Sequence, residues 1–280
     1  LYNLKVVAEV RAGATLLFDS EPDAEEAETV LKASAMIDAV TRDAKDELPL
    51  DPTVSGVGKR VLLIDHEDSF VQNLASYIRA TGAETLTLRP GFPDQAFEDF
   101  KPDLVFLSPG PGRPEDYHLR DSIERALAAG LPVFGVCLGL QGIVEFFGGS
   151  LGQLVTPMHG KPSKVKLDTT DPLFDGLPED IVVGRYHSLF AKAAEMPADI
   201  EVTARSDDGV IMGIRHKSLP ISAVQFHPES LLTLQGDVGM RMIANLLRNP
   251  NGQRPDDEIE DPEQDDTTNK EDTANDHKAA

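Results

Sequence analysis

Cysteine is nearly missing from this chain: one residue in 280, Cys137. A lone cysteine excludes an internal disulfide and fits a reducing compartment. Tryptophan is absent altogether, yet 40% of the residues are hydrophobic, which leaves a soluble, acidic, core-forming composition. Basic side chains are scarce, 26 Lys+Arg against 48 Asp+Glu, for a formal net charge of -22. A phosphate backbone attracts a basic face, so this balance argues against nucleic acid as a partner. No apolar run approaches the roughly 20 residues that span a bilayer, which argues against a membrane partner. The first residue is Leu1, and "LYNLKVVAEVRAG" has neither the basic start nor the small-residue cleavage site of a signal peptide. The expectation is a cytoplasmic protein cut from a longer chain, with one large α/β domain and appendages or two small domains.

Much of the acidity is local. Residues 251–280 hold 11 acidic and 3 basic side chains and one large aliphatic residue, Ile259. Such a stretch cannot bury enough surface to fold, so a disordered acidic tail is expected there. At the other end, Ala27, Val30, Leu31, Ala35 and Ile37 recur at helical spacing behind an acidic first turn. From 42 to 58 the sequence turns polar, with Pro49, Pro52 and Gly56, and reads as a linker. The main domain, 59–250, opens with "KRVLLID" and alternates apolar runs ("TLTL", "LVFLS", "PVFGV") with segments of helical period ("SFVQNLASYIRATG", "LRDSIERALAAG"). That alternation predicts an α/β fold with an open, mostly parallel sheet and helices on both faces. Later strand-rich stretches, "VVGRY", "IEVTARS", "GVIMGIR" and "ISAVQF", lie close together before a final helix, "GDVGMRMIANLLR". In such sheets ligands bind beyond the carboxyl ends of the strands, where the punctuated segments of this chain fall.

"LPVFGVCLGLQGIVEFFGG" reads as a buried strand, a tight turn at Cys137 and a helix. Glycines 135 and 139 would permit the strained strand-to-helix turn that presents a nucleophile, the mechanics of the hydrolase elbow. A helix N-terminus there favours a thiolate; the competing reading is a small buried core residue. In "AVQFHPES", His227 and Glu229 stand two apart around Pro228, and in extended geometry both side chains would point the same way. A thiol, an imidazole and an orienting carboxylate are the logic of covalent catalysis; a surface histidine beside a capping glutamate is the alternative. "FLSPGPGRPED" packs two glycines and two prolines into five residues, either an ordinary turn or a rigid loop aiming N–H groups at an oxyanion. "RYHSLF" places His187 and Ser188 after another strand, whereas His66, His118, His159, His216 and His277 are scattered without metal-ligand spacing.

Taken together and in order, "SPGPG", "GVCLGLQG", "YHSL" and "QFHPES" resemble a class I glutamine amidotransferase domain of the anthranilate synthase type, over about Lys59 to Asn249. The resemblance implies a flavodoxin-like sheet, Cys137 as nucleophile, His227 as general base and acid, and Glu229 as the residue that orients His227. It further implies that Gly110, Pro111 and Gly112, with Gln141, Ser188 and Leu189, hold glutamine, and that N–H groups of the Gly110 loop and of Leu138 stabilise the oxyanion. The amidotransferase chemistry needs no cofactor. Leu140 departs from the histidine many relatives carry, at a position outside the triad.

The stretch 1–41, through "VRAGATLLFDSEPDAEEAETVLKASAMIDAV", is similar to the end of a chorismate-utilising synthase domain. There the turn Gly13-Ala14-Thr15 would contact chorismate and Glu28 would bind Mg2+, but only in an intact synthase domain. Synthase end, linker and amidotransferase stand in the order of fused anthranilate synthases. The expected partners are therefore glutamine and a chorismate-utilising synthase domain, in the same chain or as a separate protein. Alternatives are the amidotransferase of aminodeoxychorismate or phenazine-precursor synthesis, a γ-glutamyl hydrolase on the same elbow, and a non-catalytic glutamine-sensing module.

Overall fold

Short runs of consecutive apolar residues become buried strands, because a strand covered by helices on both faces has no side left for polar groups. In the computed structural model, which describes residues 54–252 apart from 234, those runs are β1 (Arg60–Ile64), β3 (Leu104–Leu107), β4 (Val133–Val136) and β11 (Ile221–Val224). With β2 (Glu84–Leu88) they pair in parallel in the order β2-β1-β3-β4-β11. Beyond β11 the same nine-stranded sheet continues antiparallel through β10 (Ile211–His216), β9 (Ile200–Ser206), β6 (Lys161–Leu167) and β7 (Asp180–Arg185). A separate short pair joins β5 (Leu151–Gln153) to β8 (Leu189–Ala191).

Side chains alternate across each strand, so two cores form. On one face Val61, Leu63, Phe106 and Val136 meet Leu74 and Ile78 of α1 (Val71–Ala80) and Met242, Ile243 and Leu246 of α5 (Val238–Arg248). On the other, Leu62, Ile64, Val105 and Leu107 meet Ile123 of α3 (Leu119–Ala128) and Leu140, Ile143 and Val144 of α4 (Leu138–Phe146). The short α2 (Asp94–Phe100) leans on this second core through the half-buried Phe97 and Phe100. Each fully buried Val, Leu, Ile or Phe contributes about 1.5–3 kcal/mol before the entropy of ordering is set against it. The architecture is the expected α/β sheet with helices on both faces, and Leu140 is core, turned from the thiol.

The antiparallel strands curl. An isolated bridge links Gly184, at the end of edge strand β7, to His227, just past β11. Among the described residues no helix is long and apolar enough to cross a membrane. Residues 1–53 and 253–280 lie outside the description, and with them the expected synthase remnant, Glu28, most of the linker and nearly all of the acidic tail.

Candidate active site

Cys137 at the end of β4, His227 past the end of β11 and Gly184 at the end of β7 come together in one place. The chain leaves β4 at Cys137, whose N–H still donates to Val224 O at 2.8 Å, extending the β4–β11 ladder by one residue. There it turns abruptly: Cys137 has φ 54° and ψ −98°, and α4 begins at Leu138. A non-glycine residue takes such a backbone only when its surroundings impose it. What imposes it is a helix start pressed onto the sheet. A Cβ at Gly139 would lie 2.7 Å from Leu107 O, and one at Gly135 would lie 2.6 Å from the Gly139 carbonyl carbon. The first N–H groups of α4 have no intrahelical acceptor, and a helix start of this kind suits an anion.

His227 and Glu229 are aligned by a turn and not by extended chain. Past Val224 the backbone leaves β11, and Ser230 N–H donates to His227 O at 3.2 Å, closing a bend around Pro228. Thr233 Oγ1 donates to the same carbonyl at 2.7 Å and accepts from Gly184 N–H at 3.0 Å, while His227 N–H donates to Gly184 O at 3.2 Å. Anchored in this way, His227 Nδ1 meets Glu229 Oε1 at 2.8 Å, both side chains being buried. Phe70 and Tyr186 flank the imidazole, with ring centroids 5.2 and 5.0 Å away. Burial, the largest influence, works to lower the imidazole pKa, but the Glu229 charge and the contacts with Cys137 and Glu229 hold it well above 6.5. The other ring nitrogen, Nε2, is buried without a hydrogen bond of regular geometry, and the Cys137 thiol is close enough to act on the ring. An imidazole of raised basicity beside a thiol is suited to take the sulfur's proton.

The remaining expected site residues take graded positions. Leu138 and Gln141 are buried on α4. Gln141 Nε2 donates to Leu189 O at 3.2 Å, so the helix reaches the segment after β7. Ser188 and Leu189 are half-buried there, Ser188 O accepting from Leu154 N–H at 2.7 Å. Gly110 is half-buried, and Pro111 and Gly112 are exposed on the outer part of their loop. A Cβ at Gly110 would fall 2.6 Å from Leu138 Cδ2 and 2.7 Å from His66 O, so only glycine lets that loop lie between β1's end and the elbow helix.

Several participants were not singled out by sequence. His66, grouped there with scattered histidines, ties β1's end to the glycine–proline loop: its N–H donates to Ser108 Oγ at 2.9 Å and its Nδ1 meets Ser108 O at 3.0 Å. Burial drives its pKa down to about 4, so the ring is neutral. Its signal was its place directly after the first strand. Gln225, inside the quoted "AVQFHPES", donates from Nε2 to Cys137 Sγ at 3.4 Å. Tyr186 lies inside the quoted "YHSL" but was not singled out, and Phe70 gave no signal, because the role of each depends on a fold that brings distant segments together. A shallow hollow lined by Arg215, His216, Ser222 and Asn249 opens at the amino end of β11, away from the triad.

A thiol on a strand-to-helix elbow of a parallel sheet, with a buried His–Glu pair facing it from the next strand, is the arrangement of a centre for nucleophilic catalysis by cysteine. Residues 62–247 match the class-I glutamine amidotransferase family, and the chain belongs to that family. It is 54% identical over 243 residues to an anthranilate synthase of Azospirillum brasilense, covering 86% of this chain but only 33% of that protein. It is 39% identical over 188 residues to the aminodeoxychorismate/anthranilate synthase component 2 of Bacillus subtilis, covering 67% of this chain and 95% of that one. The solved structure of a GMP synthase subunit from Thermoplasma acidophilum superposes with a TM-score of 0.59 at 25% identity, covering 68% of this chain and 94% of that one.

Proposed function

We propose that Cys137 attacks the side-chain amide of glutamine, and that the ammonia released is used by a chorismate-utilising synthase domain to make anthranilate, in tryptophan biosynthesis in the cytoplasm. N–H groups of the Gly110 loop and of Leu138 hold the oxyanion of the tetrahedral intermediate. His227, oriented by Glu229, accepts the thiol proton and returns one to the departing ammonia. It then activates the water that cleaves the γ-glutamyl thioester to glutamate. Gln141, Ser188 and Leu189 line the side of the cleft from which glutamine is held. Magnesium belongs in this scheme to the synthase alone.

The observation that carries the reading is the buried 2.8 Å contact between His227 Nδ1 and Glu229 Oε1 beside a thiol on a positive-φ elbow. The destination of the ammonia rests on likeness. The alignment with the Azospirillum protein is too long to fit within 62–247 and the residues after it, so it takes in part of residues 1–61, where the synthase-like segment lies. The Bacillus relative's name favours a second product, aminodeoxychorismate. Covalent labelling by a glutamine-analogue electrophile should fall on Cys137, and Cys137→Ser should lower glutaminase turnover at least about 10³-fold. Glutamine binding without labelling would leave a sensing module instead. Supplying a complementing synthase and chorismate should raise turnover, and product analysis then distinguishes anthranilate from aminodeoxychorismate.

A further inference from the structure

The polarity of a buried hydrogen-bond chain determines which atom faces the nucleophilic sulfur. The chain starts at Arg185, buried and held by Asp208 through Nη1 at 3.1 and 2.9 Å from the two carboxylate oxygens. A guanidinium only donates. Its Nε, 3.1 Å from His187 Nε2, therefore requires a lone pair on that nitrogen, and the ring proton sits on Nδ1. His187 Nδ1–H donates to Leu189 O at 2.8 Å and fixes that carbonyl. A carbonyl only accepts. Hence the Gln141 amide turns its Nε2 toward Leu189 O, at 3.2 Å, and offers its second hydrogen to Gln225 Oε1, at 3.4 Å. With its oxygen committed, Gln225 presents Nε2–H to Cys137 Sγ at 3.4 Å. Gln225 is fully buried, and turning its amide over would set its Nε2–H against the Gln141 Nε2–H and its oxygen against the sulfur, so the donor chain fixes the orientation.

We infer that Gln225 is a catalytic residue beside the triad: a fixed N–H donor on the sulfur that stabilises the thiolate, a pure acceptor, over the thiol. The inference rests on the reading of Cys137 as nucleophile. It assigns His187 and Arg185 a positioning role, since they determine the direction of the chain without touching sulfur. Among the ionisable and charged groups, His227 acts on the sulfur and is paired with Glu229 after β11, while His187, Arg185 and Asp208 stand further back along the chain. None of these is altered by a substitution at 225.

The test uses the full chain, whose single cysteine makes alkylation by iodoacetamide specific to one sulfur. Alkylation rate is measured against pH for the unmodified chain, for Gln225→Met, which keeps length and removes the donor, and for Gln225→Glu, which keeps shape and puts a carboxylate against sulfur. The midpoint of the pH profile should move up by about one unit in Gln225→Met and further in Gln225→Glu, with glutaminase kcat down about tenfold and KM changed less. Thermal melting checks that the variants fold, and Gln225→Leu, which also lacks a donor and adds no charge, takes the place of the methionine variant if that one does not. A reactive thiol whose midpoint is the same whatever stands at 225 overturns the inference while leaving the amidotransferase reading intact. A thiol inert to alkylation in the unmodified chain removes the nucleophile, and both fall together.

Discussion

At the scale of single residues the site holds a conformation that no local preference favours. Cys137 sits at φ 54°, ψ −98°, where a Cβ costs of order 1–3 kcal/mol. Alanine normally stabilises relative to glycine, by restricting the unfolded chain. Here the order should invert: Cys137→Gly should be more stable than Cys137→Ala by about 1 kcal/mol, read from denaturant midpoints, while both are inactive. Equal midpoints would mean the elbow is unstrained. The triad was legible because each member lies inside a short stretch of unusual composition, and such stretches survive reading one at a time. Gln225, His66, Phe70 and Tyr186 were not, because what each does is set by its partner. His66 works through Ser108, 42 positions away, and Gln225 through Cys137, 88 positions away. No periodicity encodes such pairs. The expected extended alignment of His227 and Glu229 found the right two residues through the wrong local geometry, since Pro228 sits in a bend that only the contacts to Gly184 and Thr233 reveal.

At the scale of elements, α4 is the part on which placement of the thiol depends. Its first turn lies against the backbone of β3 at Gly139. Gly139→Ala should destabilise by about 2 kcal/mol or more, since the neighbouring atom is a carbonyl of a buried strand and cannot yield as a flexible side chain would. A loss below about 0.5 kcal/mol in urea unfolding would show that the helix can lift. Strands β1, β3, β4 and β11 and helices α1, α3, α4 and α5 were readable from apolar runs and helical period. By contrast β5, β6, β8 and α2 left little trace. β6 buries only Val165 and Leu167 of seven residues, and α2 buries none of its own fully. These elements exist through partners that define them, β6 between β7 and β9 and α2 beneath the sheet edge.

For the molecule as a whole, acid should act through two buried histidines. His66 and His187 are both lowered from 6.5 to about 4, in each case chiefly by burial. Between those values the unfolded chain binds protons that the folded chain refuses. Stability therefore falls as pH drops through that window, by up to ~3 kcal/mol for each group. His227, raised instead, contributes fully below 6.5 and adds no loss there; its contribution fades only as pH climbs through its elevated value. The melting temperature should accordingly decline from pH 7 to 5. The decline should be shallower in His66→Asn, which keeps a donor toward Ser108 but cannot gain the proton; an identical slope would clear His66 of any part.

The bridge from Gly184 to His227 joins a strand at the rim of the sheet to the residue that follows its middle. The base is thus not fastened down until five strands have wrapped round and met. A half-finished copy has a thiol but no anchored base beside it, and so stays chemically silent.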